Sequence, residues 1–117
     1  MGKSVSVIKP SPFEIRSELG TDSARLTVFG ELDMATVPQL EDEVRGMLAG
    51  GVRELIIDLG KVRFIDSSGL RLLIILRDRA AAEGWTLGLL RPSGEVLSIF
   101  GLTGADENLP FVEDPRA

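Results

Sequence analysis

Phe64-Ile65-Asp66-Ser67-Ser68-Gly69-Leu70 is the stretch on which the fold reading turns. It sets a carboxylate, two hydroxyls and a glycine between an apolar dipeptide and a helix-like run, Leu70-Arg71-Leu72-Leu73-Ile74-Ile75-Leu76. In this reading Phe64 and Ile65 anchor the loop, and Gly69 keeps the mouth of the helix uncluttered. Ser67 and Ser68 then fall near the first turn, where free backbone N–H groups and the positive end of the helix dipole favour an anion. From position alone Ser67 reads as an ordinary N-cap serine. An accessible serine at that point is also a place to carry a phosphate.

Working outward, Val52 to Leu59 contains the near-continuous apolar run Leu55-Ile56-Ile57, as in a central strand covered on both faces. Downstream, a helix from Gly69 to Glu83 carries Leu70, Leu73, Ile74, Arg77 and Ala81 along one line, widened by Leu72, Ile75 and Leu76, and Gly84 closes it. Its apolar surplus points to a partner surface near its start. Trp85-Thr86-Leu87-Gly88-Leu89-Leu90 is the next strand, with Trp85 in the core. Ser93 caps a short helix containing Val96, Leu97 and Phe100, ended by Gly101 and Gly104. Ala105 to Asn108 form a loop, and Phe111-Val112 a last short strand.

Further upstream, Phe13 to Leu19 and Arg25 to Phe29 alternate in period two around Gly20-Thr21-Asp22-Ser23, the pattern of an antiparallel hairpin. Gly30 ends the second strand, and Glu31-Leu32-Asp33 lead into a helix. Thr36 and Gln39 have capping-box spacing, and Pro38 is tolerated in the first turn. Val37, Leu40, Val44, Met47 and Leu48 make one apolar stripe, stopped by Gly50-Gly51. The order β-β-α-β-α-β-α-(β) predicts an α/β sheet with helical crossovers. Residues 1–12 form a tail or edge strand, 13–112 a single domain and 113–117 a C-terminal tail.

At 117 residues the chain can bury roughly 65% of its unfolded surface. Its 44% hydrophobic and 26% charged content argues against disorder. A net charge of −5 and an isoelectric point near 4.7 turn nucleic acid away, because its phosphates would be repelled. The longest strictly aliphatic run, Leu72 to Leu76, falls far short of the ~20 residues a membrane span needs. Met1-Gly2-Lys3-Ser4-Val5 lacks the apolar core of a signal peptide. A cytoplasmic protein with no membrane insertion is expected. The chain has no Cys, His or Tyr, which removes the disulfide, the thiolate nucleophile, the imidazole base and the ordinary zinc site. Ile65 stands where a nucleophile elbow needs glycine, and no phosphate-binding loop is present. No catalytic residue, metal or cofactor is expected, and the chain reads as a binding protein rather than an enzyme.

Three segments together resemble a known family. Leu26-Thr27-Val28-Phe29-Gly30-Glu31-Leu32-Asp33 resembles the Gly-Glu-Leu-Asp strand end of STAS domains, and Leu55-Ile56-Ile57-Asp58-Leu59 resembles their central strand. Phe64 to Leu70 is similar to the phosphorylation loop of bacterial anti-sigma factor antagonists, in which Asp-Ser-Ser/Thr-Gly-Leu follows two apolar residues. The likeness runs through residues 13 to 112 in the family's order and spacing. It implies a single STAS domain, a small mixed β-sheet of four to five strands with α-helices packed mainly on one face. It also implies partner switching. The unphosphorylated antagonist binds an anti-sigma factor with serine kinase activity and so releases a sigma factor. Phosphorylation switches binding off, and a serine phosphatase reverses it.

Carried over residue by residue, the resemblance makes Ser67 the phosphorylated residue, with Ser68 as runner-up. It places Glu31, Asp33, Met34, Asp66, Ser68, Gly69 and Leu70 at the partner surface. Plainer roles stand beside these: capping and surface charge for Glu31 and Asp33, a solvated loop carboxylate for Asp66, an eased turn for Gly69, core packing for Leu72. Arg71 departs from the small residue the family often has there. The other reading is a STAS subunit of a different assembly, such as a lipid-transport ATPase. Self-association is open to the chain but is not predicted.

Overall fold

In the computed structural model, which describes residues 13–103 and 108–116, the two alternating segments pair as β1 (Glu14–Leu19) and β2 (Ser23–Leu32). They are antiparallel, with Glu14 opposite Phe29 and Leu19 opposite Ala24. Along β2 every second residue is buried, from Ala24 through Leu26, Val28 and Gly30 to Leu32. Period-two burial is what a strand with one covered face requires. Glu31 and Leu32 are strand residues rather than a lead-in, because a further strand pairs beside them.

Helix α1 (Val37–Ala49) buries Leu40, Val44 and Met47, the centre of the expected stripe. The capping box does not form. Thr36 precedes the helix but makes no side-chain cap, because its hydroxyl is committed to the preceding connection. β3 (Glu54–Asp58) lies parallel to β2 and is shorter than the apolar run implied. Leu55 and Ile57 are fully buried while Ile56 is only half-buried, so the strand is not sealed on both faces.

Four residues later comes β4 (Val62–Ile65), which the sequence reading took as loop. It pairs parallel with the end of β2, Glu31 opposite Phe64 and Leu32 opposite Ile65, after a register shift at Gly30/Glu31. Helix α2 (Ser67–Glu83) begins at Ser67, ahead of the expected Gly69. Leu70, Leu72, Leu73, Leu76 and Ala80 are buried, while Ala81, placed on the apolar line by spacing, is exposed. Most of the apolar run packs internally, where α2 touches α1, β4 and β5, while Ile75 is left 39% exposed. Gly84 ends the helix at φ +81°, a conformation that costs glycine nothing.

β5 (Thr86–Leu90) joins β3 in parallel, giving the order β1-β2-β3-β5 with β4 on the end of β2. Trp85 is buried. Helix α3 (Gly94–Thr103) continues past Gly101, which therefore does not stop it. Phe111 makes a single parallel bridge to Leu89 rather than a strand. The expected tail at 1–12 and most of the 105–108 loop lie outside the described residues.

The core is one cluster joining the inward residues of the sheet, such as Leu26, Ile57 and Leu89, to Leu40, Leu73 and Phe100 of the three helices. The opposite face carries Arg25, Ile56 and Gly88 in one row across three strands. There the C-terminal segment, read from sequence as a tail, lies along the sheet. Val112 packs on Gly88, Arg25 donates to both oxygens of Asp114, and Arg116 pairs with Glu18.

Candidate functional site

Asp66 stands between β4 and α2 in extended conformation and is the N-cap of the helix. Its Oδ1 accepts hydrogen bonds from the backbone N–H of Ser68 at 2.8 Å and of Gly69 at 3.1 Å. Its Oδ2 accepts from the N–H of Met34 at 3.3 Å, in the connection between β2 and α1. Its own N–H donates to the Leu32 carbonyl at 3.2 Å. One aspartate therefore closes a helix end and ties it to a second loop. Asp is among the best N-caps because a short carboxylate reaches the orphan donors of the first turn.

The Met34 loop is built the same way. Asp33 Oδ1 accepts from the N–H groups of Ala35 and Thr36 at 3.0 and 3.1 Å. The Thr36 hydroxyl donates to the Glu31 carbonyl at 2.7 Å and accepts from the Asp33 N–H at 3.0 Å. Two aspartate-capped turns thus stand side by side at the carboxyl ends of β2 and β4, joined through Met34.

Gly69 sets how tightly they close. A Cβ there would lie 2.7 Å from the Leu32 carbonyl oxygen and 2.7 Å from Ile65 Cγ1. Contacts that short do not occur between real atoms, so the first turn of α2 rests on the end of β2 only because residue 69 has no side chain.

The sequence-derived candidates separate by exposure. Ser67 is exposed at the first helical position; Ser68, Asp66, Asp33 and Glu31 are half-buried; Gly69 and Leu70 are buried. Met34 is 76% exposed, and Leu72 is core at 3%. Phe64, expected to anchor the loop, is instead 44% exposed, while Ile65 does the anchoring at 2%. β4 buries only its end residues, Val62 and Ile65, and leaves Arg63 and Phe64 exposed. An apolar residue followed closely by a cap-forming Asp was the available signal for β4, and its shortness hid it.

The chemistry open to Ser67 is that of an acceptor. Asp66, the adjacent carboxylate, has both oxygens engaged by backbone N–H groups, and the chain contains no His, Cys or Tyr. Among the described residues no base hydrogen-bonds to the Ser67 hydroxyl to make it a nucleophile. Among the described residues no group of His, Cys, Asp or Glu is arranged to hold a metal ion, and no helix is long and apolar enough to cross a membrane.

The family model described as "Mlab, STAS domain" matches residues 15–113. The anti-sigma-B factor antagonist of Staphylococcus aureus is 34% identical over 77 residues, covering 66% of this chain and 71% of that protein. The crystal structure of an anti-sigma factor antagonist from Mycobacterium paratuberculosis superposes with a TM-score of 0.76 at 28% identity, covering 92% of each chain. The unphosphorylated anti-sigma factor antagonist SpoIIAA superposes with a TM-score of 0.71 at 24% identity, over 88% of this chain and 91% of that one, which speaks to the fold.

Proposed function

The chain belongs to the STAS-domain family, and on that premise we propose that it is an anti-sigma factor antagonist whose binding surface is switched by a phosphate on Ser67. The observation that carries the reading is the pairing of an exposed, base-free serine with a rigid platform. Asp66, Asp33 and Gly69 fix two loops so that Ser67 and the exposed Met34 share one end of the sheet. An apolar anchor beside a modifiable hydroxyl suits a partner that must bind one state and reject the other.

In this reading the partner is a cytoplasmic anti-sigma factor with serine kinase activity, and a serine phosphatase resets the switch. The protein itself catalyses nothing. Glu31, Asp33, Met34, Asp66 and Ser68 meet the partner, while Gly69 and Leu70 shape the surface from beneath. Incubation with candidate anti-sigma kinases and ATP, followed by mass spectrometry, should place the phosphate on Ser67. Ser67→Ala should abolish labelling with an unchanged circular dichroism spectrum. Undiminished labelling of the alanine variant would move the site to Ser68. A protein that binds no anti-sigma factor, and instead copurifies with a transport ATPase, would favour the reading as a subunit of such a machine.

A further inference from the structure

The anion position at the mouth of α2 is already taken. Asp66 Oδ1 accepts from both Ser68 and Gly69 N–H, the donors a phosphate on Ser67 would otherwise use. A phosphoryl group on Ser67 therefore stands outside the N–H cradle, beside a carboxylate, and needs a cation from elsewhere. Arg71 lies one turn along α2, at the i+4 position that shares a helix face with Ser67. Helical side chains lean toward the N-terminus, so a guanidinium at this position can reach back over Ser67's turn.

Arg71 is exposed, and among the described residues no hydrogen bond or ion pair engages it. The other helical arginines are each paired: Arg45 with Glu41 and Asp42, Arg77 with Asp78, Arg79 with Glu83. Among the described residues the nearby charges are Asp66 on the same turn, Asp33 in the neighbouring connection, Glu31 at the end of β2 and Arg63 within β4.

We propose that Arg71 is the counter-ion, within the same chain, of the phosphate carried by Ser67. In the phosphorylated protein the guanidinium holds the phosphate along the flank of α2, and Asp66 keeps both the backbone donors and its tie to Met34. The switch then adds charge to the binding surface without dismantling the platform. This inference rests on Ser67 being the modified residue.

The test uses the full chain with phosphoserine installed at residue 67 during translation, so it depends on no kinase. Phosphorus NMR follows the second ionisation of the phosphate, ordinarily near pH ~6. With Arg71 present the midpoint should lie about 0.2–0.4 pH unit below that of the Arg71→Gln variant, the shift an i,i+4 helical ion pair produces. Arg71→Lys should retain most of the shift. The Ser68, Gly69 and Met34 amide signals should stay close to their unphosphorylated positions. Identical midpoints in wild type and Arg71→Gln would overturn the inference, as would large displacements of those three amides, which would mean that the phosphate had taken the donors from Asp66. If phosphate on Ser67 leaves anti-sigma factor binding unchanged, the functional reading fails while this titration still decides the role of Arg71.

Discussion

Asp66 is the residue on which the site depends, and its work is structural before it is functional. Its three accepted hydrogen bonds include one from Met34, which is 32 residues away in sequence. Asp66→Ala removes the cap and leaves the Met34 N–H without its acceptor, so it should lower stability by about 0.5–2 kcal/mol in urea denaturation. Asp66→Asn keeps a carbonyl acceptor and should cost less. An alanine variant as stable as wild type would show that the cap carries no weight. Gly69→Ala should cost about 1–3 kcal/mol by the same measurement, because the new methyl meets the Leu32 carbonyl and Ile65 together. At this scale the Asp-Ser-Ser-Gly string was readable as a helix mouth with an accessible serine. That the mouth already held an anion was not, because Ser67 rather than Asp66 was read as the cap, although two of the three bonds to Asp66 are local.

Among the elements, strong periodicities were legible and short or two-sided ones were not. The β1–β2 hairpin, the α1 stripe and the α2 run appear in the structure close to where the sequence put them, though only β2 shows the alternation in its burial. β4 was hidden because Val62-Arg63-Phe64-Ile65 is too short to show a period and buries only its end residues. The hold of the C-terminal segment on the sheet is partly ionic, which no hydrophobic period announces. Arg25, paired also with Asp58, holds the Asp114 carboxyl well below the usual range, at about 2, with help from the Arg116 N–H. A carboxylate whose folded pKa is depressed stabilises the fold above its unfolded pKa of ~3.9 and loses that contribution as pH falls toward 2. Thermal melts between those limits should therefore fall more steeply for wild type than for Asp114→Asn. The difference should be modest, because Asp114 is partly solvated and screening weakens the pair. Parallel curves would place the strap's hold in Val112 and Gly88 instead.

Across the whole molecule, the parallel strands separate two regions. At their starting ends, Leu19, Arg25, Ile56, Gly88, Val112 and Arg116 line a cleft of about 580 Å³ beneath the C-terminal segment. The Ser67 platform stands at their carboxyl ends, where open α/β sheets generally place function. The α/β class followed from alternation and helical stripes together, but the predicted order lacked β4 and added a strand at Phe111; the near-continuous run in β3 overstated coverage, because the second face is crossed by a strap rather than by helices. In the proposed reading the switch acts on a protein already at net charge −5, to which a phosphate adds about −1.5 to −2. The platform is fixed by backbone hydrogen bonds that the phosphate need not disturb, so in that reading the off state arises at the partner surface. Bringing a doubly charged phosphate, only partly neutralised by Arg71, against a packed interface costs ~3–5 kcal/mol, or about a hundredfold to a few thousandfold in affinity. The decisive measurement is a calorimetric titration of the cognate anti-sigma factor with the unphosphorylated, Ser67-phosphorylated and Ser67→Ala proteins. The account predicts that Ser67→Ala binds like the unphosphorylated protein and that the phosphorylated form binds at least about a hundredfold more weakly; equal affinity for the phosphorylated and unphosphorylated forms would contradict it.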